Sequence, residues 1–155
     1  MPKTKDYSIH EATKEDAIDL AILGKQFVKE SQNELLGWNS TKVFASLLDA
    51  ISRDDFGVFI LRHETEIVGM LISFVAPCFF SDVVQASELV WYVDPDHRGS
   101  KEARYMVELY EQWAVEHGAV CSILVNLNVL KGDKVAKLYG RMGYKMVENT
   151  FVKEL

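Results

Sequence analysis

The run Arg98-Gly99-Ser100-Lys101-Glu102-Ala103-Arg104 stands where an apolar, strand-like stretch, ELVWYV, breaks at Asp94-Pro95 and a long helix-patterned stretch begins. A helix that opens directly after a strand leaves its first backbone N–H groups without internal partners, at the positive end of its dipole. Donors from Gly99 through Ala103, with charge from Arg98, Lys101 and Arg104, therefore form an anion site whose expected guest is a phosphate or pyrophosphate. The plainer alternative is a strand-to-helix turn in which Gly99 supplies only backbone freedom. The second chemical feature is Glu88, a carboxylate between Ser87 and the apolar run Leu89-Val90-Trp91. Partial burial there raises a carboxyl pKa toward values useful in proton transfer, whereas a solvated or ion-paired glutamate would be merely structural. The third is Tyr139, which shares a helical face with Val135, Leu138 and Met142 and also reads as a core tyrosine with its hydroxyl at the edge.

Other chemistries find little support. There is no G-x-x-x-x-G-K-[ST] and no G-x-G-x-x-G, which removes the usual phosphate loops of ATP and dinucleotide sites. His10, His63, His97 and His117 form no i,i+4 pair and no cluster with cysteine, so no metal site is expected. Seventeen Lys plus Arg against 23 Asp plus Glu give a net charge of −6, which disfavours an unselective nucleic-acid binder and suits a cationic acceptor. Cys78 and Cys121 lie in apolar runs without metal-like spacing, and the N-terminal MPKTKDYS lacks the apolar core of a signal peptide. A cytoplasmic protein with reduced thiols is expected, with no stretch apolar enough to span a bilayer.

The elements that must position these residues follow from periodicity. Across 155 residues, 48% hydrophobic and 26% charged, the pattern predicts one domain, residues 1–155. Tyr7–Ala12 alternates as a strand. Thr13 caps a helix over about Lys14–Ser31, and Ser40 or Thr41 caps a second one carrying Val43, Phe44, Leu47, Leu48 and Ile51. GVFILRH and EIVGMLISFVAP predict a hairpin about Glu64-Thr65, ASELVWYV a further strand, and residues 100–117 the long helix. AVCSILVNL predicts a strand buried on both faces, residues 133–141 a helix stopped by Gly143, and YKMVENTFVKEL a closing strand. The order β-α-α-β-β-β-α-β-α-β, with one right-handed crossover making the strands at 86–93 and 120–127 parallel neighbours, describes an α/β protein with a mixed, mostly antiparallel sheet and helices on both faces.

LVWYVDPDHRGSKEA resembles the acyl-CoA pyrophosphate loop of GCN5-related N-acetyltransferases, in which V-x-P leads into Arg/Gln-x-x-Gly-x-Gly/Ala. AKLYGRMGYK resembles the late A-x-x-L-Y-x-x-x-G-F/Y signature of the same family, at the family's usual separation and in its order of elements. The flanking segments look most like small phage and bacterial members. Two positions depart from the pattern: Lys101 stands for the central loop glycine, and Gly132 for an asparagine seven residues before the tyrosine. Lys101 fits if it lies in helical geometry in the first turn, and Asn126 or Asn128 offers an amide near the place of the missing one.

The resemblance implies an acetyl-CoA-dependent transferase acting on a small-molecule or peptide amine by direct attack in a ternary complex. Acetyl-CoA would be held by Trp91, Val93, Arg98, Gly99, Ser100, Lys101, Glu102, Ala103, Arg104 and Asn126, its pantetheine arm wedged between the strands at 86–93 and 120–127. The backbone N–H near Val93 would support the oxyanion, Glu88 would take the amine's proton, and Tyr139, with a phenol of ordinary pKa near 10, would protonate the leaving thiolate. Glu30, Glu34, Trp38, Phe79 and Phe80 are candidates for the acceptor pocket. The apolar C-terminal strands suggest pairing into a homodimer. A non-catalytic acyl-CoA-binding protein, or an interaction domain using the loop as a plain helix cap, remain the alternatives.

Overall fold

Residues 6–31, 34–127 and 130–155 are described by a computed structural model. Strand β1 (Tyr7–Glu11) leads through a 3₁₀ turn at Lys14–Asp16 into α1 (Ala17–Glu30), and α2 (Ser40–Ser52) follows a second such turn at Glu34–Leu36. Asn39 caps α2, its Oδ1 accepting the Lys42 N–H at 3.0 Å, one residue before the predicted cap. Then come β2 (Phe56–His63), β3 (Glu66–Pro77) and β4 (Val84–Val93) as a meander, α3 (Lys101–Glu116), β5 (Ser122–Ile123) and α4 (Gly132–Arg141).

The sheet order is β1-β2-β3-β4-β5, antiparallel except for the parallel pair β4–β5. Side chains alternate between its faces, so each strand feeds two cores. On one face Phe59, Leu61, Leu71 and Val93 pack against Met106, Val107, Tyr110 and Trp113 of α3; on the other Val58, Ile60, Met70 and Tyr92 pack against Leu20, Leu23, Leu47 and Ala50 of α1 and α2. Alternation in β4 is broken once. Ile72 pairs with Val90 and Ser73 with Glu88, which leaves Leu89 as an extra residue in a bulge. Glu88, Trp91 and Val93 consequently share the α3 face with Ala86, while Val90 and Tyr92 turn to α1.

The end of the chain departs from expectation. β5 is two residues long and half-buried, not a doubly covered strand, and Val120 is 72% exposed. Its ladder with β4 stops after Ala86–Ser122 and Ser87–Ile123 because side chains satisfy the next backbone groups: Val125 donates its N–H to Glu88 Oε2 at 2.8 Å and accepts from Tyr139 Oη at 2.8 Å. The strand predicted over YKMVENTFVKEL forms no ladder among the described residues, and Met146, Val147, Phe151 and Val152 are exposed. An alternating sequence specifies a strand's faces but does not supply a partner edge, and a two-residue β5 offers almost none.

Candidate active site and cofactor cradle

β4 and β5 diverge beyond Ile123, and a cavity of about 1260 Å³ opens in the resulting wedge. Glu88, Tyr139, Trp91, Val93, Arg98, Gly99, Ser100, Lys101, Ala103, Arg104 and Asn126 all line it. Glu102 does not. Asn128 and the Glu34 side chain lie outside the described residues.

The loop is shaped by local chemistry. Asp94 Oδ1 accepts the Asp96 N–H at 3.0 Å and opens a short 3₁₀ turn over Pro95–His97. Gly99 has φ +77°, in the left-handed region, while a Cβ there would meet nothing within 4 Å, so it is backbone geometry that calls for glycine. Ser100 then caps α3, its Oγ accepting the Ala103 N–H at 3.1 Å. Lys101 opens the helix in ordinary helical geometry, which removes the need for the glycine expected at its position.

Arg98 is more committed than the sequence suggests. Its Nε donates to the Val93 carbonyl at 2.7 Å, its two terminal nitrogens meet the Glu30 carboxylate at 2.8 and 3.0 Å, and the guanidinium sits 5.3 Å from the centre of the Tyr92 ring. Tyr92 Oη donates to the same carboxylate at 2.6 Å. The Arg98 guanidinium, more than the Tyr92 hydroxyl, holds the Glu30 carboxyl below its ordinary range, although burial works against it. With Arg98 neutralised, the cations of the cavity wall that form no ion pair among the described residues are Lys101 and Arg104 on α3 and Lys131 and Lys134 at the start of α4.

Glu88 is 7% exposed. Burial pushes its pKa up from 4.5 to about 7, with the N–H groups of Val125 and Trp91 pulling it only partly back. Tyr139 lies against Trp91, ring centres 6.1 Å apart at 23°, and burial, followed by the charges of Glu88 and Tyr144, lifts its phenol well above the ordinary tyrosine value expected for it. It is protonated throughout the neutral range. Val93 supplies a further group. Asp94 donates its N–H to the Val68 carbonyl at 2.8 Å, and the alternation of antiparallel pairs then turns the Val93 N–H away from β3, toward the wedge. The Trp91 indole Nε1 is buried with no hydrogen-bond partner among the described residues.

Over residues 23–144 the sequence matches the Acetyltransferase (GNAT) family. This chain belongs to that family. Its fold agrees. An aminoglycoside acetyltransferase from an uncultured soil metagenomic sample is similar at TM-score 0.75 and 16% identity, covering 97% of this chain and 99% of the other. A ribosomal-protein-alanine N-acetyltransferase from Brucella melitensis biovar Abortus 2308 is similar at 0.72 and 17%, covering 96% and 99%. An aminoglycoside N-acetyltransferase in complex with CoA is similar at 0.74 and 16%, covering 100% and 98%. No curated protein sequence is a significant match.

GNAT acetyltransferases use acetyl-CoA, and the cavity suits it. The first turn of α3, the four wall cations, the inward-turned Val93 N–H and the Trp91 donor, unpartnered among the described residues, are groups that suit a polyanionic nucleotide with an amide-bearing arm. Asn126 instead donates its Nδ2 to the Gly132 carbonyl at 2.9 Å, tying the wedge to the start of α4. Among the acceptor-pocket candidates, Glu30 is held by Arg98, while Trp38, Phe79 and Phe80 lie off the cavity wall. Phe27, Ser31, Leu35 and Leu89 also occupy the wall, and none of them singly carries a mark of this in its local sequence pattern. The i,i+4 spacing of Phe27 and Ser31 at the end of α1 is the signal that would have grouped those two; Leu35 lies on a separate turn, which no helical spacing reaches.

Proposed function

We propose that this chain is an N-acetyltransferase that moves the acetyl group of acetyl-CoA to a primary amine by direct attack within a ternary complex. The observation carrying this reading is the placement of a base and an acid on the two polar groups of one residue: Glu88 on the Val125 N–H and Tyr139 on the Val125 carbonyl, each at 2.8 Å, where β4 and β5 part. Acetyl-CoA supplies an activated acyl carbon at a good leaving group. Glu88, half ionised near pH 7, takes the proton the attacking nitrogen must lose. The Val93 N–H donates toward the carbonyl oxygen as charge gathers on it. The nitrogen–carbon bond forms, the carbon–sulfur bond breaks, and Tyr139 gives its proton to the sulfur; exchange with solvent then returns a proton to Tyr139 and removes one from Glu88.

One observation favours the non-catalytic alternative. Arg98 is spent on Glu30 and the Val93 carbonyl, and Asn126 on Gly132, so two expected cofactor contacts have protein partners instead. Calorimetry with acetyl-CoA, followed by thiol release with a panel of primary amines, separates the readings. Binding with release supports the transferase, and binding without release from any amine refutes it. Two further parts of the proposal are open to direct measurement. The free thiols of Cys78 and Cys121 are in keeping with a cytoplasmic setting. The unpaired, exposed strand-patterned tail supports a homodimer, testable by light scattering before and after truncation at residue 145.

A further inference from the structure

We infer that the acceptor is a primary amine borne on an apolar group, and not a polycation. The inference rests on the transferase reading and specifies its second substrate. Once the α3 loop, Trp91, Val93 and Tyr139 are assigned to the cofactor, the lining contributed by α1, the turn after it and the neighbouring part of β4 is Phe27, Ser31, Leu35, Leu89 and Tyr92. Leu89, held outward by the β4 bulge, is 55% exposed beside Glu88, and Leu35 is 57% exposed on the turn after α1, so the apolar atoms face the opening and are not consumed by packing. The wall is therefore apolar where an acceptor must sit.

Charge points the same way. The overall −6 suggests a cationic ligand, but the acidity lies elsewhere. Among the described residues the cavity wall holds one carboxylate, the buried Glu88; Arg98 and nearby Glu30 neutralise each other, and Lys101, Arg104, Lys131 and Lys134 are left to the phosphates of the cofactor. A polyamine or aminoglycoside would bring several ammonium groups into a setting that desolvates them and offers one buried carboxylate in return. A single amine gains from the same desolvation, because loss of water lowers its pKa and raises the fraction of neutral, attacking nitrogen.

The test is kcat/KM for acetylation of 2-phenylethylamine, a short peptide beginning with Phe, spermidine and kanamycin by the full chain. The apolar amine or the peptide should exceed both polycations by at least about tenfold, the discrimination that a few apolar contacts provide. The faster of the first two identifies the source, a free amine or a peptide N-terminus. Leu35→Asp and Leu89→Ala should each lower kcat/KM for the preferred acceptor about tenfold while the acetyl-CoA Kd moves less than about twofold. A preference for spermidine or kanamycin overturns the inference and leaves the transferase standing, as does an unchanged acceptor ratio in both variants. Acetyl-CoA binding with no turnover of any amine overturns both.

Discussion

Replacing Glu88 with glutamine makes the protein slower and, in alkaline solution, more stable. Between pH 4.5 and about 7 the folded chain holds a proton on Glu88 that the unfolded chain has released, so wild-type stability falls as pH rises through that window. Above it the carboxylate must be buried in charged form. At about 1.4 kcal/mol per pH unit, the interval from 4.5 to about 7 corresponds to about 3 kcal/mol. Glutamine keeps an oxygen for the Val125 N–H and carries no such charge. Urea melts at pH 4 and pH 8 should therefore show the variant and the wild type nearly equal at the lower pH, and the variant ahead by about 3 kcal/mol at the higher; differencing cancels every other titrating group. Turnover at pH 7.5 should fall about 100-fold, and the acidic limb near pH 7 in the wild-type rate profile should disappear. A stability difference that stays flat from pH 4 to pH 8 would refute the burial argument, and wild-type turnover in the variant would refute the role of base.

Tyr139→Phe should retain acetyl-CoA binding and lose about 100-fold in turnover, and because it strands the Val125 carbonyl it should also lower stability by about 1–2 kcal/mol, as read from Tm and kcat together; normal turnover removes the hydroxyl from the chemistry. Lys101→Glu places an acid in the first turn of α3, which the helix tolerates, so the fold should survive while calorimetric affinity for acetyl-CoA drops about tenfold at low salt; an unchanged Kd would take the cofactor phosphates away from this turn. Glu30→Gln should cost under about 1 kcal/mol at neutral pH, because the pair is partly solvated, and the difference should vanish in acid: the depressed Glu30 pKa contributes stability above its unfolded value that is lost as pH falls through the folded one. Chemical denaturation across that range checks the sign.

The strand-to-helix loop and its place on the cavity wall were readable because their signals are local. A proline break, a glycine and a run of cations within eleven residues describe a strand-to-helix anion cradle whatever surrounds it, and a lone carboxylate in ELVWYV announces a perturbed titration. What escaped was long in range or broken in register. Glu30 and Arg98 are 68 residues apart, and nothing in either neighbourhood marks them as partners. Leu89 was invisible as a wall residue because strict alternation assigns it to a face, whereas the bulge lifts it out of the pairing. Phe79 and Phe80 were attractive as pocket residues by type alone, yet type does not say where a loop points. The final strand failed for a related reason: YKMVENTFVKEL has the pattern of a strand, and pattern does not create an edge to join.

The two-residue ladder of β5 also sets how the molecule breathes. β2 and β3 pair along eight registered positions, whereas β5 is joined to β4 by two, so Leu124–Leu127 and α4 are held to the sheet by side-chain packing and by bonds such as those at Val125, with no ladder among the described residues. Such a segment opens as a local unit at a free energy well below that of global unfolding. Its amides should exchange with deuterated solvent far faster than those of Phe59 to Leu61, and faster again in Tyr139→Phe. Ligand that binds only the closed form slows that exchange by mass action, about 2.7 kcal/mol at a hundred times Kd. On the proposed reading the wedge is in this sense a hinge already cut by the sequence, and a pantetheine arm lying in it would take the place of the ladder that β5 does not extend.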